Sequence, residues 1–348
     1  MNERISRSKA LQLFQEEELL SLGRRAHHLR LAKNPEDQVT FVIDRNINYS
    51  NICICQCRFC AYYREESDPD GYVLDQETLH QKIAETVDLG GTQILLQGGL
   101  HPHLTIDYYE NLLADIKNNF PTIHIHGFSA PEIWHFSQQS DLTLEKTISR
   151  LKEAGLGSIP GGGAEILDDR VRSHISPNKI GWEQWMQVME LAHRQGLRST
   201  ATMMFGTVET PGELIDHLLR VRELQDKTAG FTAFIPWSFQ PDNTDLYDEV
   251  SIAATGVDYL RVLALSRIVL DNIDNIQASW VTQGAKMAQV ALYFGANDFG
   301  STMIEENVVA AAGVHFRMSL EEMVSTIKEA GFTPAQRNTL YKIIKKYD

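Results

Sequence analysis

The chain has 348 residues, of which 43% are hydrophobic, and a formal net charge of −14 at pH 7. This composition is ordinary for a globular protein, and the length allows one large domain or two small ones. An acidic chain is a poor ligand for nucleic acid, since phosphate backbones are bound mainly by lysine and arginine. No apolar run approaches the roughly 18 residues of a membrane span, and the polar N-terminus does not resemble a signal peptide. We therefore expect a cytoplasmic protein that binds no nucleic acid and does not insert into a membrane.

Short apolar runs rich in β-branched residues alternate with longer amphipathic stretches along most of the chain. An N-terminal segment at about residues 5–35 has helical periodicity. The predicted strands are residues 39–44, 92–97, 122–128, 157–160, 198–205, 231–236, 276–281 and 296–301. The predicted helices between them are residues 75–89, 107–119, 143–154, 182–194, 211–226, 257–272 and 285–294.

This alternation predicts parallel strands joined by crossover helices. Eight strands in a chain of this length favour an α/β fold of the (β/α)8 TIM-barrel type, and a doubly wound open sheet is the alternative. We expect one domain over residues 1–348, with an N-terminal helical extension at 1–36, a barrel core at 37–305 and a C-terminal extension at 306–348. Two helix-like pieces, separated at Thr333 and Pro334, are predicted near the C-terminus.

Glycines and polar residues follow six of the predicted strands. The stretches concerned are residues 97–99, 129–132, 161–165, 206–209, 237–240 and 300–307. A tight turn explains any one of these glycines. However, a barrel enzyme builds its active site at the C-terminal ends of its strands, so the pattern over six strands favours a site there.

All four cysteines lie within eight residues, in the loop that follows the first predicted strand. Cys53, Cys57 and Cys60 have the spacing C-x3-C-x2-C. Thiolates this close can converge on one soft metal centre, and a set of three leaves one iron of a [4Fe–4S] cluster without a protein ligand. Structural zinc, which usually takes four ligands in two separated pairs, and inert cysteines are the alternatives. Cys55 falls between two spaced positions, and we expect it to be a small apolar residue rather than a ligand.

Three features of this region occur together: the cysteine spacing, Phe59 before the last cysteine, and the pair Gly98-Gly99 after the second strand. In them the chain resembles the radical S-adenosylmethionine (SAM) superfamily. The resemblance implies a [4Fe–4S] cluster on the three spaced cysteines, with SAM chelated to the open iron. One electron then cleaves SAM to a 5′-deoxyadenosyl radical, which abstracts a substrate hydrogen. The family usually has Gly-Gly-Glu where this chain has Gln97-Gly98-Gly99, so Gln97 is expected to contact the SAM amino group.

Further stretches resemble the branch of this superfamily that acts in the futalosine route to menaquinone. They are residues 44–51, 90–99, 158–165, 201–206, 231–237, 277–283 and 295–307. The resemblance implies a cyclase that takes a hydrogen from C4′ of the ribose of dehypoxanthine futalosine and joins this carbon to the attached benzoate ring. It also implies an electron donor such as flavodoxin or ferredoxin. Aminofutalosine synthase or another radical enzyme on the same scaffold is the alternative. A non-enzymatic iron–sulfur carrier is a third class, which would not need a polar barrel mouth.

The resemblance also implies a set of contacts to SAM. The residues expected to make them are Phe59, Tyr62, Gln97, Gly98, Gly99, Ser129 and Glu165. Some of these residues have ordinary structural explanations as well. Ser129 is suited to cap a helix, Glu165 to lie at a helix N-terminus, and Tyr62 to pack in the core.

The remaining candidates would act on the substrate. Arg45 and Arg64 are candidates for its carboxylate, because a guanidinium binds this group bidentately; solvated surface positions are the alternative. Deprotonation needs a base near the aromatic ring. The candidates for it are Glu305, Glu306, Asp298 and His101. His124 and His126 alternate along the third predicted strand and point to one face, either the barrel interior or a satisfied core.

Overall fold

Strands and helices alternate along residues 4–250 and 253–347, which the computed structural model describes. In this part of the chain the strands are β1 (Gln38–Val42), β2 (Asp44–Asn48), β3 (Gln93–Gln97), β4 (His124–Gly127), β5 (Ser158–Ile159), β6 (Arg198–Phe205), β7 (Phe231–Ser238), β8 (Asn275–Ile276), β9 (Asp298–Ser301), β10 (Thr333–Arg337) and β11 (Ile343–Lys346). The α-helices are α1 (Arg7–Glu16), α2 (Leu19–Lys33), α3 (Gln76–Asp88), α4 (Ile106–Asn119), α5 (Ala130–Gln139), α6 (Leu144–Ala154), α7 (Asp169–Ile175), α8 (Trp182–Arg194), α9 (Pro211–Thr228), α10 (Gly256–Val269), α11 (Trp280–Gln283), α12 (Ala285–Ala291), α13 (Val308–Ala311) and α14 (Leu320–Glu329). None of these helices has the length and hydropathy of a segment that crosses a membrane.

The strands form a barrel. Seven parallel strands lie side by side in the order β2-β3-β4-β5-β6-β7-β8. β1 continues into β2 with only Ile43 between them, and β9 pairs in parallel with β1. A bridge between Gln277 and Asp298 joins β8 to β9. The ring of eight parallel strands is thereby closed, which confirms the predicted TIM-type barrel.

The outer helices face the barrel with one apolar side. In α4 the buried residues Ile106, Tyr109, Leu113 and Ile116 recur every three or four positions, which places them on a single face. Thr143 caps the N-terminus of α6, and its hydroxyl accepts the N–H of Lys146. These helices return the chain after each strand, so that every parallel strand opens its C-terminal end at the same mouth.

The observed elements correct some of the predicted ones. Each predicted strand overlaps an observed strand, but β8 ends at Ile276 and the chain turns into α11 at Trp280, so the prediction for 276–281 was too long. The predicted N-terminal helix is divided into α1 and α2. α5 and α7 were not predicted. α5 begins shortly after β4 and contains Pro131 in its first turn, a position where proline is tolerated.

The C-terminal segment is the largest departure from prediction. The second helix-like piece, from Thr333 onwards, is the strand β10, which pairs in parallel with β1 on the side opposite β9. β11 then pairs antiparallel with β10. Pro334 cannot donate a backbone hydrogen bond, which disfavours a helix interior, and four of the five β10 residues are buried.

From the last residue of β10 onwards the chain closes the floor of the barrel, the end opposite the mouth. Arg337 donates through Nε and Nη2 to Asp298 at 2.5 and 3.0 Å. The Thr339 hydroxyl donates to Gln93 Oε1 at 2.5 Å. Arg337, Thr339 and Tyr341 all line a cavity inside the barrel, so the C-terminal extension is part of the barrel wall.

Candidate functional site

The cysteine loop lies at the mouth of the barrel, directly after β2. Cys53, Cys57 and Cys60 line a cavity of about 200 Å3, and Cys55 lies there as well. All four are free thiols. The Cys53 N–H donates to the Arg64 carbonyl at 3.0 Å, and the Cys60 N–H donates to the Cys57 carbonyl at 2.9 Å. These backbone bonds hold the thiols around one space.

The wall opposite the loop is the segment after β3. The Leu100 N–H donates to Cys53 Sγ at 3.3 Å. A Cβ at Gly99 would lie 2.1 Å from the Ile52 carbonyl oxygen, and a Cβ at Gly98 would lie 2.5 Å from the Tyr49 ring. Because real Cβ atoms do not approach so closely, both positions require glycine, and the cysteine loop packs directly on backbone.

Glu132 is a buried carboxyl that sequence reasoning passed over. Its Oε1 accepts the Gly98 N–H at 3.0 Å and the Tyr49 hydroxyl at 2.8 Å. Its Oε2 accepts the backbone N–H and hydroxyl of Ser129 at 2.7 and 2.6 Å. Burial raises the pKa of Glu132 to about 7, against the effect of these donors. The sequence signal for Glu132 was the capping pattern Ser129-x-x-Glu132 at the start of α5. The same pattern accounts for the hydrogen bond that the Ser129 hydroxyl donates to Glu132.

Glu165 is held at the junction of the loop and the barrel. Its φ of 38° is left-handed, and its side chain is only 5% exposed. Oε1 lies 3.3 Å from Lys179 Nζ, and Oε2 lies 3.6 Å from Arg172 Nη1. Oε2 accepts no hydrogen bond from any described residue. A buried acceptor without a donor is costly, so this oxygen is available to a ligand.

Lys179 brings a positive charge to the thiols. Its Nζ also lies 4.8 Å from the centroid of the Phe59 ring, which lines the cysteine cavity. Hydrogen bonding by Cys55, assisted by Lys179, lowers the pKa of Cys57, and the same Cys55 thiol lowers the pKa of Cys53 to about 6. Burial raises the pKa of Cys60 to about 11. Nothing in the local sequence singles out Lys179, because its role depends on the fold alone.

These residues suit a polynuclear centre. Within the described residues, no set of three or more His, Cys, Asp or Glu side chains is arranged around a single metal ion. The three spaced thiols instead line a cavity of about 200 Å3. Since thiolates are the ligands of iron–sulfur clusters, the donor set fits such a cluster.

A second cavity, of about 300 Å3, fills the barrel beneath the first. Gln97, Gly163 and Val308 line both cavities. Tyr62 lines only the upper one, and Glu165 only the lower. A molecule bound beside the cysteines therefore borders directly on the space inside the barrel.

Two predicted carboxylate-binding residues lie outside both cavities. In β2, Asp44 and Asn46 face the barrel interior, so Arg45 faces outward by strand alternation. Its Nη1 pairs with Glu85 of α3 at 2.8 Å. Arg64 Nε donates to Asp70 at 2.6 Å, and its Nη1 donates to the Tyr63 carbonyl at 2.8 Å. The structure therefore does not bring either arginine into the two cavities, and both guanidinium groups have protein partners.

Three of the four predicted bases also lie away from the cavity linings. Glu305 pairs with Lys82 at 2.6 Å on the outside, Asp298 is saturated by Arg337, and His101 accepts the His103 N–H at 3.2 Å. Glu306 does line the barrel cavity. However, its carboxylate accepts the backbone N–H groups that begin α13, so its lone pairs are engaged.

A parallel barrel with a three-cysteine loop at its mouth defines an enzyme that works with an iron–sulfur cluster. Residues 47–221 match the radical SAM superfamily, and residues 228–347 match the CofH/MqnC C-terminal region. The chain belongs to the radical SAM superfamily, whose members use a [4Fe–4S] cluster and SAM.

Similar proteins cover nearly the whole chain. The cyclic dehypoxanthine futalosine synthase of Halalkalibacterium halodurans is 48% identical over 99% of this chain and 93% of its own length. The enzyme of the same name from Streptomyces coelicolor is 43% identical, over 99% and 87%. The 5-amino-6-(D-ribitylamino)uracil--L-tyrosine 4-hydroxyphenyl transferase of Methanopyrus kandleri is also 43% identical, over 93% and 89%.

Two solved structures share the fold. Methylornithine synthase (PylB) superposes with a TM-score of 0.73 at 18% identity, covering 96% of this chain and 95% of that one. The [FeFe]-hydrogenase maturase HydG gives 0.75 at 16%, covering 97% and 74%. At these identities the likeness concerns the barrel alone.

Proposed function

We propose that this enzyme converts dehypoxanthine futalosine into cyclic dehypoxanthine futalosine, a step in the futalosine route to menaquinone. The observation that carries the proposal is the identity of 48% and 43% with two bacterial enzymes of that name over 99% of the chain. The geometry supports it, because the cysteine cavity borders a barrel cavity of about 300 Å3. We further propose that the enzyme works in the cytoplasm with flavodoxin or ferredoxin as electron donor.

In this proposal Cys53, Cys57 and Cys60 hold the cluster, and SAM lies between the cysteine loop and β3. When bound, the cluster and SAM supply a 5′-deoxyadenosyl radical that can abstract a hydrogen atom. Gln97 and Glu165 would bind polar groups of SAM, and the orphaned Glu165 Oε2 supports this role. Gly98 and Gly99 allow close backbone approach. Phe59 and Tyr62 would give the cofactor an apolar wall.

The barrel has two tasks in the proposed reaction. It must hold C4′ of the ribose at the junction marked by Gln97 and Gly163, because hydrogen abstraction requires near contact. It must also keep water from the substrate radical, and the floor closed by Arg337 and Thr339 supports this. Over the reaction one hydrogen atom, one electron and one proton leave the substrate, and C4′ becomes bonded to the benzoate ring.

The proposal is tested by anaerobic reconstitution with iron, sulfide and SAM, followed by product analysis with dehypoxanthine futalosine. Substrate deuterated at C4′ should transfer its deuterium into 5′-deoxyadenosine, and mass spectrometry should find the cyclic product. A product that retains the adenosyl group would instead identify an aminofutalosine synthase. Absence of deuterium transfer would also contradict the cyclase.

The ligand set is tested by single replacements. Cys53→Ala, Cys57→Ala and Cys60→Ala should each abolish formation of 5′-deoxyadenosine and lower the iron content, because each removes a thiolate ligand. Cys55→Ala is the matched control and should retain both. Retention of iron in Cys53→Ala together with its loss in Cys55→Ala would reassign the ligands.

A second candidate function is the transfer of the 4-hydroxyphenyl part of tyrosine to 5-amino-6-(D-ribitylamino)uracil. The 43% identity to the enzyme from Methanopyrus kandleri over 93% of the chain favours it. The same reconstituted protein, offered tyrosine and this uracil, decides between the two. Consumption of tyrosine with no turnover of dehypoxanthine futalosine would select the transferase.

A further inference from the structure

Two histidines and a serine form a continuous hydrogen-bonded chain inside the barrel. Ser158 Oγ lies 2.7 Å from His126 Nδ1 and 2.7 Å from His124 Nε2. The two histidines are separated by one residue in β4, so their side chains project to the same side. His126 lies in register with Ser158 of β5. The His124 ring packs over Gly157, where a Cβ would lie 2.6 Å from it.

This series of three hydrogen-bonded side chains runs from the barrel cavity towards the floor. His126 lines the cavity of about 300 Å3 and is 7% exposed. His124, one step nearer the N-terminal end of the strand, is only partly buried. The sequence of groups His126–Ser158–His124 therefore connects the cavity with the end of the barrel opposite the cysteine loop.

The second nitrogen of His126 is free within the cavity. Nδ1 is bonded to Ser158, and Nε2 forms no hydrogen bond with any described residue. Of the carboxylates that line the same cavity, Asp44 accepts from Ser301 and Gln93, and Glu306 accepts the backbone N–H groups that begin α13. Glu165 keeps one oxygen without a hydrogen-bond donor, Oε2, which lies 3.6 Å from Arg172 Nη1 and which the proposed function assigns to SAM. His126 Nε2 is thus a base with an open lone pair.

We propose that His126 Nε2 accepts the proton that leaves the aromatic ring after cyclisation, and that Ser158 and His124 relay it to the barrel floor. The inference rests on the proposed function, in which the cyclised radical must lose one electron and one proton. The electron would be taken up by a one-electron acceptor of the oxidised iron–sulfur class. The ring C–H bond breaks, its electron pair restores aromaticity, and the proton forms the new Nε2–H bond.

For each proton that His126 accepts, the relay releases one proton to solvent. His126 passes its Nδ1 proton to Ser158 Oγ, and Ser158 passes its own hydroxyl proton to His124 Nε2. His124 then releases its Nδ1 proton to solvent, since this ring is partly exposed. His126 is the catalytic base in this scheme, whereas Ser158 and His124 act through it. The required starting state has protons on Nδ1 of both rings.

The burial of His126 and His124 favours the neutral rings that the relay requires. Loss of solvation lowers the pKa of His126 to about 3 and that of His124 to about 4. Both imidazoles are therefore neutral near pH 7, and Nε2 of His126 keeps its lone pair. A weak base suffices, because a proton whose loss restores aromaticity is strongly acidic.

The decisive experiment compares two products of the reconstituted enzyme. In wild type, formation of cyclic product establishes the proposed function. In His126→Gln, 5′-deoxyadenosine formation and deuterium transfer from C4′ should persist, while cyclic product per 5′-deoxyadenosine falls by about 100-fold, the usual weight of a general base. Ser158→Ala should also lower this ratio, and Ser158→Thr, which keeps the hydroxyl, should restore it. A wild-type ratio in His126→Gln would overturn the proposal.

The control is a matched serine on barrel strand β6 whose side chain does not line the cavity. Ser199 Oγ lies 2.7 Å from His193 Nε2, the same kind of bond at the same length. Neither residue lines the cavities. Ser199→Ala should therefore keep the wild-type product ratio. A ratio lowered as far as in Ser158→Ala would show that loss of packing, not of the relay, is responsible.

The relay can also be examined without cluster, SAM or substrate. Long-range 1H–15N spectra of histidine-labelled protein, assigned with His→Gln variants, report the tautomer of each ring. Neutral rings protonated at Nδ1 are expected for His124 and His126, and Ser158→Ala should shift both. A His126 ring protonated at Nε2 would overturn the relay even if wild type forms the cyclic product. Failure of wild type to form that product would instead reject the proposed function.

Discussion

Gly99 is the point at which the cysteine loop lies closest to the barrel wall. In Gly99→Ala the new methyl group would meet the Ile52 carbonyl oxygen at 2.1 Å and Cys53 Cβ at 2.8 Å. Because both contacts are with the loop itself, we expect the loop to shift and cluster incorporation to fail. Iron content and visible absorbance after reconstitution measure this. Gly212→Ala is the control, since its nearest neighbour is the flexible end of Arg7 at 3.1 Å; equal iron in both variants would contradict the prediction.

Arg172 is a buried cation that organises the segment carrying Glu165. Its guanidinium donates to the carbonyls of Gly163, Ala164 and Ile180 and is 3% exposed. Arg172→Met would remove the donor to these three carbonyls and the cation nearest to Glu165 Oε2, leaving Lys179 to pair with Glu165 Oε1. We expect the free energy of unfolding to fall by about 3–5 kcal/mol, measured by urea denaturation.

The control for this prediction lies on the same helix. Arg170, which is 54% exposed, pairs with Glu213 at the surface. Exposed ion pairs contribute about 0–1 kcal/mol, so Arg170→Met should change stability little. A loss in Arg172→Met no larger than that in Arg170→Met would show that the buried network does not stabilise the protein.

At the residue scale, the sequence identified the part of the site that is contiguous in the chain. The cysteine spacing and the glycine pair define their own neighbourhood, and the structure brings them together. Arg45 lies outside the cavities because one step along a strand reverses the side on which a side chain lies. Lys179 reaches the thiols from a loop far along the chain, so only the tertiary fold reveals it.

At the element scale, the strands that could be predicted are those with a typical strand pattern in their own sequence. A strand that forms only because a distant strand offers it hydrogen bonds could not be predicted. β6 was predicted at its observed bounds, because a run of apolar and β-branched residues lies between Gly196 and Gly206. β10, Thr-Pro-Ala-Gln-Arg, has no such run. It is a strand because β1, almost 300 residues earlier, offers it a hydrogen-bonding edge.

Arg337 and Asp298, the ion pair at the end of β10, should be coupled in their contributions to the free energy of unfolding. Arg337 and Asp298 are 6% and 0% exposed and hydrogen-bond through two nitrogens. Arg337→Met and Asp298→Asn should each cost about 3–5 kcal/mol. The double variant should lose less than the sum, with a coupling energy of about 2 kcal/mol. Thermal and urea unfolding of the four proteins of the cycle measure it.

A surface pair between β11 and the segment before β1 is the comparison. Lys346 and Glu36 lie 3.2 Å apart with 47% and 71% of their side chains exposed. Their coupling energy should be about 0–1 kcal/mol. If the buried cycle gave no more coupling than this one, the floor would be held by packing alone.

At the scale of the whole molecule, buried neutral histidines should make the fold acid-sensitive. Burial lowers the pKa of His217 to about 3 and that of His193 to about 4, as it does for the two relay histidines. The unfolded chain binds a proton at each near pH 6.5, whereas the folded protein does not. Their contribution to stability is therefore complete above pH 6.5 and is lost progressively as the pH falls towards 4.

His217→Gln tests this dependence, since His217 is fully buried and accepts the Leu167 N–H at 3.0 Å. Each such histidine adds up to about 1.4 kcal/mol per pH unit between pH 6 and 4. The variant should lose that part of the slope in urea unfolding measured across this range. His103→Gln, at a side chain 68% exposed, should keep the wild-type slope. An unchanged slope in His217→Gln would refute the assignment.

The position of β1 between β9 and β10 has a consequence for synthesis on the ribosome. β1 ends at Val42, but its two neighbours are complete only at Ser301 and Arg337. At about 5–20 residues per second, the second neighbour emerges roughly 15–60 s after the first strand. Both edges of the nascent strand are unpaired until β9 is complete, and one edge stays unpaired until β10 is complete. A chain whose translation stopped before the last strands would form a barrel with an open floor. Closure of the whole fold therefore depends on the part of the chain that is synthesised last.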